Sequence, residues 1–173
     1  NAEVETKFEI IRSAATAPKA IIDGLELQFS ELVNLANALF SADDIYDKFN
    51  IKLPRGVLLH GPPGCGKTML VRYVSEYLNV PVLQLHPSDF SSDGFGDSEA
   101  KLLKIYDSAK ALSPCIIFMD EIDSLCPKRD SNQNSSSQRV TTLLLTIMDG
   151  CINMKQKHKI FFIGATNMPS SID

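Results

Sequence analysis

Residues Gly61-Pro62-Pro63-Gly64-Cys65-Gly66-Lys67-Thr68 follow the apolar run Val57-Leu58-Leu59 and lead into the helical-looking stretch Met69–Leu78. This succession restricts the chain to a few folds, because the loop must leave a strand and pass directly into a helix N-terminus. The spacing G-x-x-x-x-G-K-T also carries a chemistry. Its glycines let successive backbone N–H groups close around phosphate oxygens, Lys67 has the reach for β and γ phosphates, and Thr68 offers a hydroxyl to Mg²⁺. The bland alternative is a glycine-rich turn that binds nothing. Strand, loop and helix in the required order favour a nucleotide site.

The remaining pattern alternates in the same way. After Leu53-Pro54-Arg55-Gly56 punctuates the chain, we expect a strand near 57–60, a helix over 67–78, a strand over 82–85 and a helix over 98–112. A strand over 115–119, a polar loop, a helix over 138–149 and a strand over 159–164 follow. Upstream, Leu25, Phe29, Leu32, Val33, Ala36, Leu39 and Phe40 recur at helical spacing, the stripe of a helix with one buried face. Alternation of this kind predicts an α/β fold, a parallel sheet between two helical layers. Residues 1–20 hold only a weak alternation around Thr6–Ile10 and a break at Pro18, and read as a linker or the end of a preceding module. Residues 21–173 read as one domain, ending without the pattern of a finished fold.

Cys115-Ile116-Ile117-Phe118-Met119 is continuously apolar and ends in Asp120-Glu121, the signature of a strand buried on both faces that opens on a site. Behind a phosphate loop this is a Walker B element. Asp120 is placed to hold Mg²⁺ and Glu121 to polarise water as a general base. The paired acids separate reaction classes, since a nucleotide kinase has no need of a carboxylate dedicated to water. Hydrolysis is favoured. The run Ile160–Ile163 ends similarly, at Gly164-Ala165-Thr166-Asn167, and the Asn167 amide can both donate to a phosphate and accept from water. Asn at a strand end is also a common turn residue, and both readings stand at this stage.

Composition removes other classes. A formal net charge of −4 gives no basic footprint, so nucleic-acid binding is not indicated. Cysteines 65, 115, 126 and 151 form no C-x-x-C pair, and histidines 60, 86 and 158 are scattered, so no zinc pattern is present. No run approaches the ~18 apolar residues of a membrane span. This cysteine pattern suits a reducing, intracellular setting, cytoplasmic or nuclear.

Several motifs together resemble a known family: Gly61 to Thr68, then Ile117-Phe118-Met119-Asp120-Glu121-Ile122-Asp123, Met148-Asp149-Gly150 and Ala165-Thr166-Asn167-Met168-Pro169. From about Ile21 to Asp173 the chain is similar to the large subdomain of an AAA+ ATPase module, of the tandem-domain, valosin-containing-protein type. The resemblance implies a three-layer phosphate-loop NTPase fold, with ATP and Mg²⁺ as cofactors. It assigns nucleotide contacts to Ile22, Asp23 and Gly24 near the adenine, and to Pro62, Pro63, Gly64, Cys65, Gly66, Lys67, Thr68 and Met69 along the loop. Metal contacts fall to Thr68 and Asp120; catalytic roles fall to Lys67, Glu121 and Asn167, the last as sensor 1.

The same resemblance implies a homo-hexameric ring that hydrolyses ATP to remodel or unfold proteins or dismantle complexes; a structural subunit that binds ATP and hydrolyses little is the alternative. Phe95 falls in the substrate-gripping pore loop, one place after Gly94, where the family carries its aromatic residue, and the polar stretch 130–137 resembles the second pore loop. Asp23 stands for a family glycine and Met168 for a family arginine. The family's last strand, helical lid and arginine fingers would follow Asp173. The isolated piece is therefore expected to be a weak ATPase, since such fingers contribute about 10³- to 10⁵-fold in rate.

Overall fold

Strands that are apolar on both faces need cover from two sides, and the chain supplies it. The computed structural model describes residues 9–11, 23–41, 49, 53–90, 97–128, 135–149 and 158–172. Strands β1 (Glu9–Ile11), β2 (Gly56–His60), β3 (Val82–Leu85), β4 (Cys115–Met119) and β5 (Ile160–Thr166) form one sheet in the order β1-β3-β4-β5-β2. The pairs β3·β4, β4·β5 and β5·β2 are parallel, whereas β1 joins the β3 edge antiparallel. Helices α1 (Glu26–Phe40), α2 (Lys67–Leu78), α3 (Asp97–Ala111), α4 (Ile122–Leu125) and α5 (Ser135–Met148), with 3₁₀ turns at Pro87–Phe90 and Pro169–Ser171, complete the described elements.

The two-residue period of a strand sorts the core into two layers. Val82, Ile116, Phe118, Phe161, Ile163 and Ala165 pack with Leu32, Val33 and Ala36 of α1 and Leu70, Val71 and Val74 of α2. Leu83, Leu85, Ile117, Met119, Ile160 and Phe162 point the other way, onto Leu102 and Ile105 of α3 and Val140, Leu144 and Ile147 of α5. The molecule is thus the three-layer α/β structure expected from the alternation. The α1 stripe lies as its spacing predicts, with Leu32, Val33, Ala36 and Leu39 buried and Leu25, Phe29 and Phe40 at the margin of the same cluster. At its far end α2 stops at Asn79, whose left-handed backbone (φ 52°) lets Val80 N–H return to Ser75 O at 3.1 Å.

Several features depart from the pattern expected of the sequence. Glu9–Ile11 pairs with Val82–Gln84 as an edge strand, so part of the segment read as a linker or preceding module contributes to the sheet. Three residues are too short a run for periodicity to reveal. Ser135–Ser137, expected at the end of a polar loop, form the first turn of α5. The short α4 and the 3₁₀ turns at Pro87–Phe90 and Pro169–Ser171 have no counterpart in the sequence pattern. Among the described residues no helix is long and apolar enough to cross a membrane.

The layers make unequal demands on side chains. Phe161 is wholly buried and Leu27 is 76% exposed, so Phe161→Ala should cost about 3–5 kcal/mol, and Leu27→Ala under about 0.5 kcal/mol. Urea unfolding of the full chain measures both, and equal costs would contradict the assignment of the core. Burial also pushes the Cys115 thiol up to about 12, whereas Cys65 is exposed. At pH 8 a maleimide should label Cys65 in the folded protein and Cys115 only after denaturant is added, as peptide mass mapping would reveal.

Candidate functional site

Parallel strands release their C-terminal ends on one side of a sheet, and here three motifs emerge there together. His60 pairs with Thr166 and Met119 with Gly164, so the phosphate loop, Asp120-Glu121 and Asn167 leave β2, β4 and β5 at nearly one level. The loop turns through left-handed backbone at Gly64 (φ 75°) and Gly66 (φ 91°), the latter capping α2. At Gly66 a side chain would meet two obstacles, since an added Cβ would also lie 3.3 Å from Leu25 Cδ1. The result is a helix N-terminus whose first N–H groups are free of intrahelical partners and face the loop.

Lys67 Nζ sits inside that turn. It donates to Gly61 O at 2.8 Å, Pro62 O at 3.1 Å and Asn167 Oδ1 at 2.7 Å, so the ammonium bridges loop and β5 terminus and orients the Asn167 amide. One residue on, Thr68 Oγ1 donates to Asp120 Oδ2 at 3.0 Å. Asp120 Oδ1 accepts from Glu121 N–H, also at 3.0 Å. Strand alternation explains the meeting: Asp120 follows Ile116 and Phe118 on the α2 face, where Thr68 begins the helix.

Glu121 itself adopts φ 51° and ψ 46°, a left-handed conformation that costs a non-glycine residue about 1–2 kcal/mol. The strain turns the chain sharply from β4 into α4 and leaves the Glu121 side chain exposed beside the loop. No sequence pattern signals this conformation.

These residues suit Mg²⁺ held jointly with phosphate. Mg²⁺ takes oxygen ligands, commonly one or two carboxylates with phosphate oxygens and water, and Thr68 and Asp120 supply a hydroxyl and a carboxylate in contact. Among the described residues no group of three or more His, Cys, Asp or Glu side chains could hold a metal alone. The donor set fits a metal that arrives with a nucleotide.

The expected adenine contacts lie on the near side. Asp23 and Gly24 are exposed at the start of α1, and Gly24 N–H donates to both Glu26 carboxylate oxygens at 3.0 and 3.1 Å. Backbone donation from Glu26 and then Gly24 holds this carboxyl below its ordinary range. Leu25 joins Gln28, His60, Gly61 and Lys67 around a cleft of about 520 Å³ between α1, β2 and the loop. The cleft adjoins the loop but does not reach Asp120 or Glu121. Pro62, Pro63, Gly64 and Cys65 of the loop and Met69 of α2 are exposed, and Pro62 and Cys65 also line this cleft. Ile22 and Phe95, and residues 130–134 of the polar stretch, lie outside the described residues.

Two residues without a role legible in the sequence, Asp123 and Thr166, are drawn into the site by the structure. Thr166 Oγ1 donates to Asp123 Oδ1 at 2.6 Å, accepts from Met168 N–H at 2.9 Å, and lies beside Asn167. Its polarity at the end of an otherwise apolar strand was the available signal.

The family described as "ATPase family associated with various cellular activities (AAA)" matches residues 57–173. An uncharacterised AAA domain-containing protein of Schizosaccharomyces pombe is 41% identical over 153 residues, 88% of this chain and 20% of that protein. The mouse protein "Nuclear valosin-containing protein-like" is 42% identical over 130 residues, 75% of this chain and 15% of its own length. The "Ribosome biogenesis ATPase RIX7" of Saccharomyces cerevisiae is 37% identical over 169 residues, covering 96% of this chain and 20% of that one. The chain therefore spans a fifth or less of each of these relatives. With its loop, paired acids and strand-end asparagine gathered at one edge of a parallel sheet, the chain belongs to the AAA family of ATPases.

Proposed function

We propose that this domain binds Mg-ATP at the phosphate loop and hydrolyses it, as one module of a ring-forming, homo-hexameric ATPase that remodels or unfolds proteins or dismantles protein complexes. The observation that carries the reading is the joining of Lys67 to Asn167 and of Thr68 to Asp120 at the rim of one helix N-terminus. Lys67 would exchange its loop carbonyls for β and γ phosphate oxygens, a gain because a carbonyl carries only partial charge. Thr68 and Asp120 would hold Mg²⁺, which supplies charge neutralisation between the phosphates.

Glu121 would accept a proton from water, and Asn167 would fix that water against the γ phosphate. The exposed carboxylate of Glu121 leaves room for water, and the Lys67 contact already orients the Asn167 amide. Leu25 lines the cleft beside the loop, and the base would be received there by Asp23 and Gly24, with Ile22 preceding them. A protein substrate would be gripped at Phe95.

The relatives support a role in the nucleus or cytoplasm, since two of them are named "nuclear" and "ribosome biogenesis" proteins. Adaptors and substrate would be recognised outside the residues described.

Two variants of the full-length protein test the reading. Glu121→Gln keeps size and hydrogen bonding but removes the base, so turnover should fall about 10²- to 10⁴-fold while nucleotide binding persists. Normal turnover would remove Glu121 from that role. Thr68→Ala deletes a metal ligand and should weaken Mg-ATP more than metal-free ATP in equilibrium titrations. An equal loss for both would contradict the metal assignment.

A further inference from the structure

Within the hydrolytic reading above, on which this inference rests, one ion-to-hydroxyl contact ties the acid segment to the asparagine segment. We propose that Asp123 is a positioning residue, acting through Thr166 to fix Asn167 relative to Glu121.

The sheet explains why these residues meet. Ile160 and Phe162 face the α3 and α5 layer, and by the two-residue period Gly164 and Thr166 continue along that face. Gly164 leaves space that Ile122 occupies: a Cβ added there would lie 3.0 Å from Ile122 Cδ1. With Ile122 seated over Gly164, the next residue of α4 comes alongside the next residue of that face. Asp123 Oδ1 thereby accepts the Thr166 hydroxyl at 2.6 Å, within the range of a charge-assisted O–H···O⁻ bond. Asn167, one position further, faces the opposite side and meets Lys67.

Thr166 is a junction of three segments. A hydroxyl has a single proton, and because Asp123 takes it, a lone pair is left for Met168 N–H at 2.9 Å. That second bond spans Asn167 and sets the turn that aims its side chain. The Thr166 carbonyl accepts from Gly61 N–H at 3.3 Å, which anchors the first residue of the phosphate loop. Thr166 is 1% exposed, so water cannot readily replace a lost partner. Downstream the same two segments meet again, where Lys128 N–H donates to Ser171 O at 2.9 Å and Pro127 bridges Ile172.

A plain structural role for Asp123 would be to complement the first turn of α4. The contact argues otherwise, since its acceptor oxygen serves a strand 43 residues away. Losing the contact would release the Asn167 turn while leaving the Thr166 carbonyl on Gly61. Turnover should therefore suffer more than binding.

The test uses the full-length protein, with steady-state ATP turnover, nucleotide affinity and thermal unfolding measured on each variant. Asp123→Ala and Thr166→Val should each lower kcat about tenfold or more, the scale of a small misplacement of reacting groups. Nucleotide Kd should stay within about threefold. Asp123→Asn and Thr166→Ser, which keep the acceptor oxygen and the hydroxyl, should restore most of the rate. The Asp123→Ala/Thr166→Val double variant should be no slower than the slower single, because both remove one shared contact. Normal turnover in both singles overturns the proposal. So does a loss of rate that follows loss of binding and melting temperature, or a failure of the conservative variants to rescue. Glu121→Gln measured in parallel separates the two levels. If it turns over normally, the hydrolytic reading falls and this proposal with it; if it is slow while Asp123→Ala is normal, only the proposal falls.

Discussion

The parallel register of β4, β5 and β2 is the constraint on which the site depends. Because His60 lies opposite Thr166 and Met119 opposite Gly164, three loops distant in sequence emerge within two residues of each other along the sheet. Shifting one strand by a residue would turn its side chains to the other face, bringing Phe118 and Asp120 away from α2. The register is held by the core: Ile116, Phe118, Phe161 and Ile163 fill one layer, Ile117, Met119 and Phe162 the other. Apolar packing far from any polar chemistry therefore decides where the polar groups meet.

At the strand ends, alternation directs neighbouring residues to different partners. Thr166 turns toward Asp123 and Asn167 toward Lys67, so one peptide step separates two hydrogen-bond systems that share a backbone. Asp120 behaves likewise, taking the Thr68 hydroxyl on one oxygen and the Glu121 N–H on the other. Glycine at 164 has a distinct purpose from those of the phosphate loop: it provides close packing for Ile122 rather than a positive φ. Strained backbone at Glu121 and unstrained packing at Gly164 together bring α4 back onto β5.

The fold class and the outline of the site were legible in the sequence for separate physical reasons. Long apolar runs such as Cys115–Met119 can only be doubly covered strands, and the spacing from Leu25 to Phe40 can only bury one helical face. The loop residues were legible because few side chains permit a backbone to wrap phosphate and also supply a cation and a hydroxyl. Short or context-made elements were not. Glu9–Ile11 is a strand because β3 offers an edge, and Ser135–Ser137 are helical because an apolar helix follows them. Asp123 and Thr166 stood within motifs already noticed, but their contact crosses 43 residues and depends on Ile122 first finding room at Gly164.

Residue type and local spacing alone set which chemistry the chain carries: a phosphate-wrapping loop, a cation, a hydroxyl and paired acids. Tertiary structure alone decided how these groups are connected. It joined Lys67 to Asn167 across 100 residues, Thr68 to Asp120 across 52, and Asp123 to Thr166, and it forced Glu121 into left-handed backbone. The physical reason is that residue identity sets what a side chain can donate or accept. Only the strand register and the close packing against it determine which partner lies within hydrogen-bond reach.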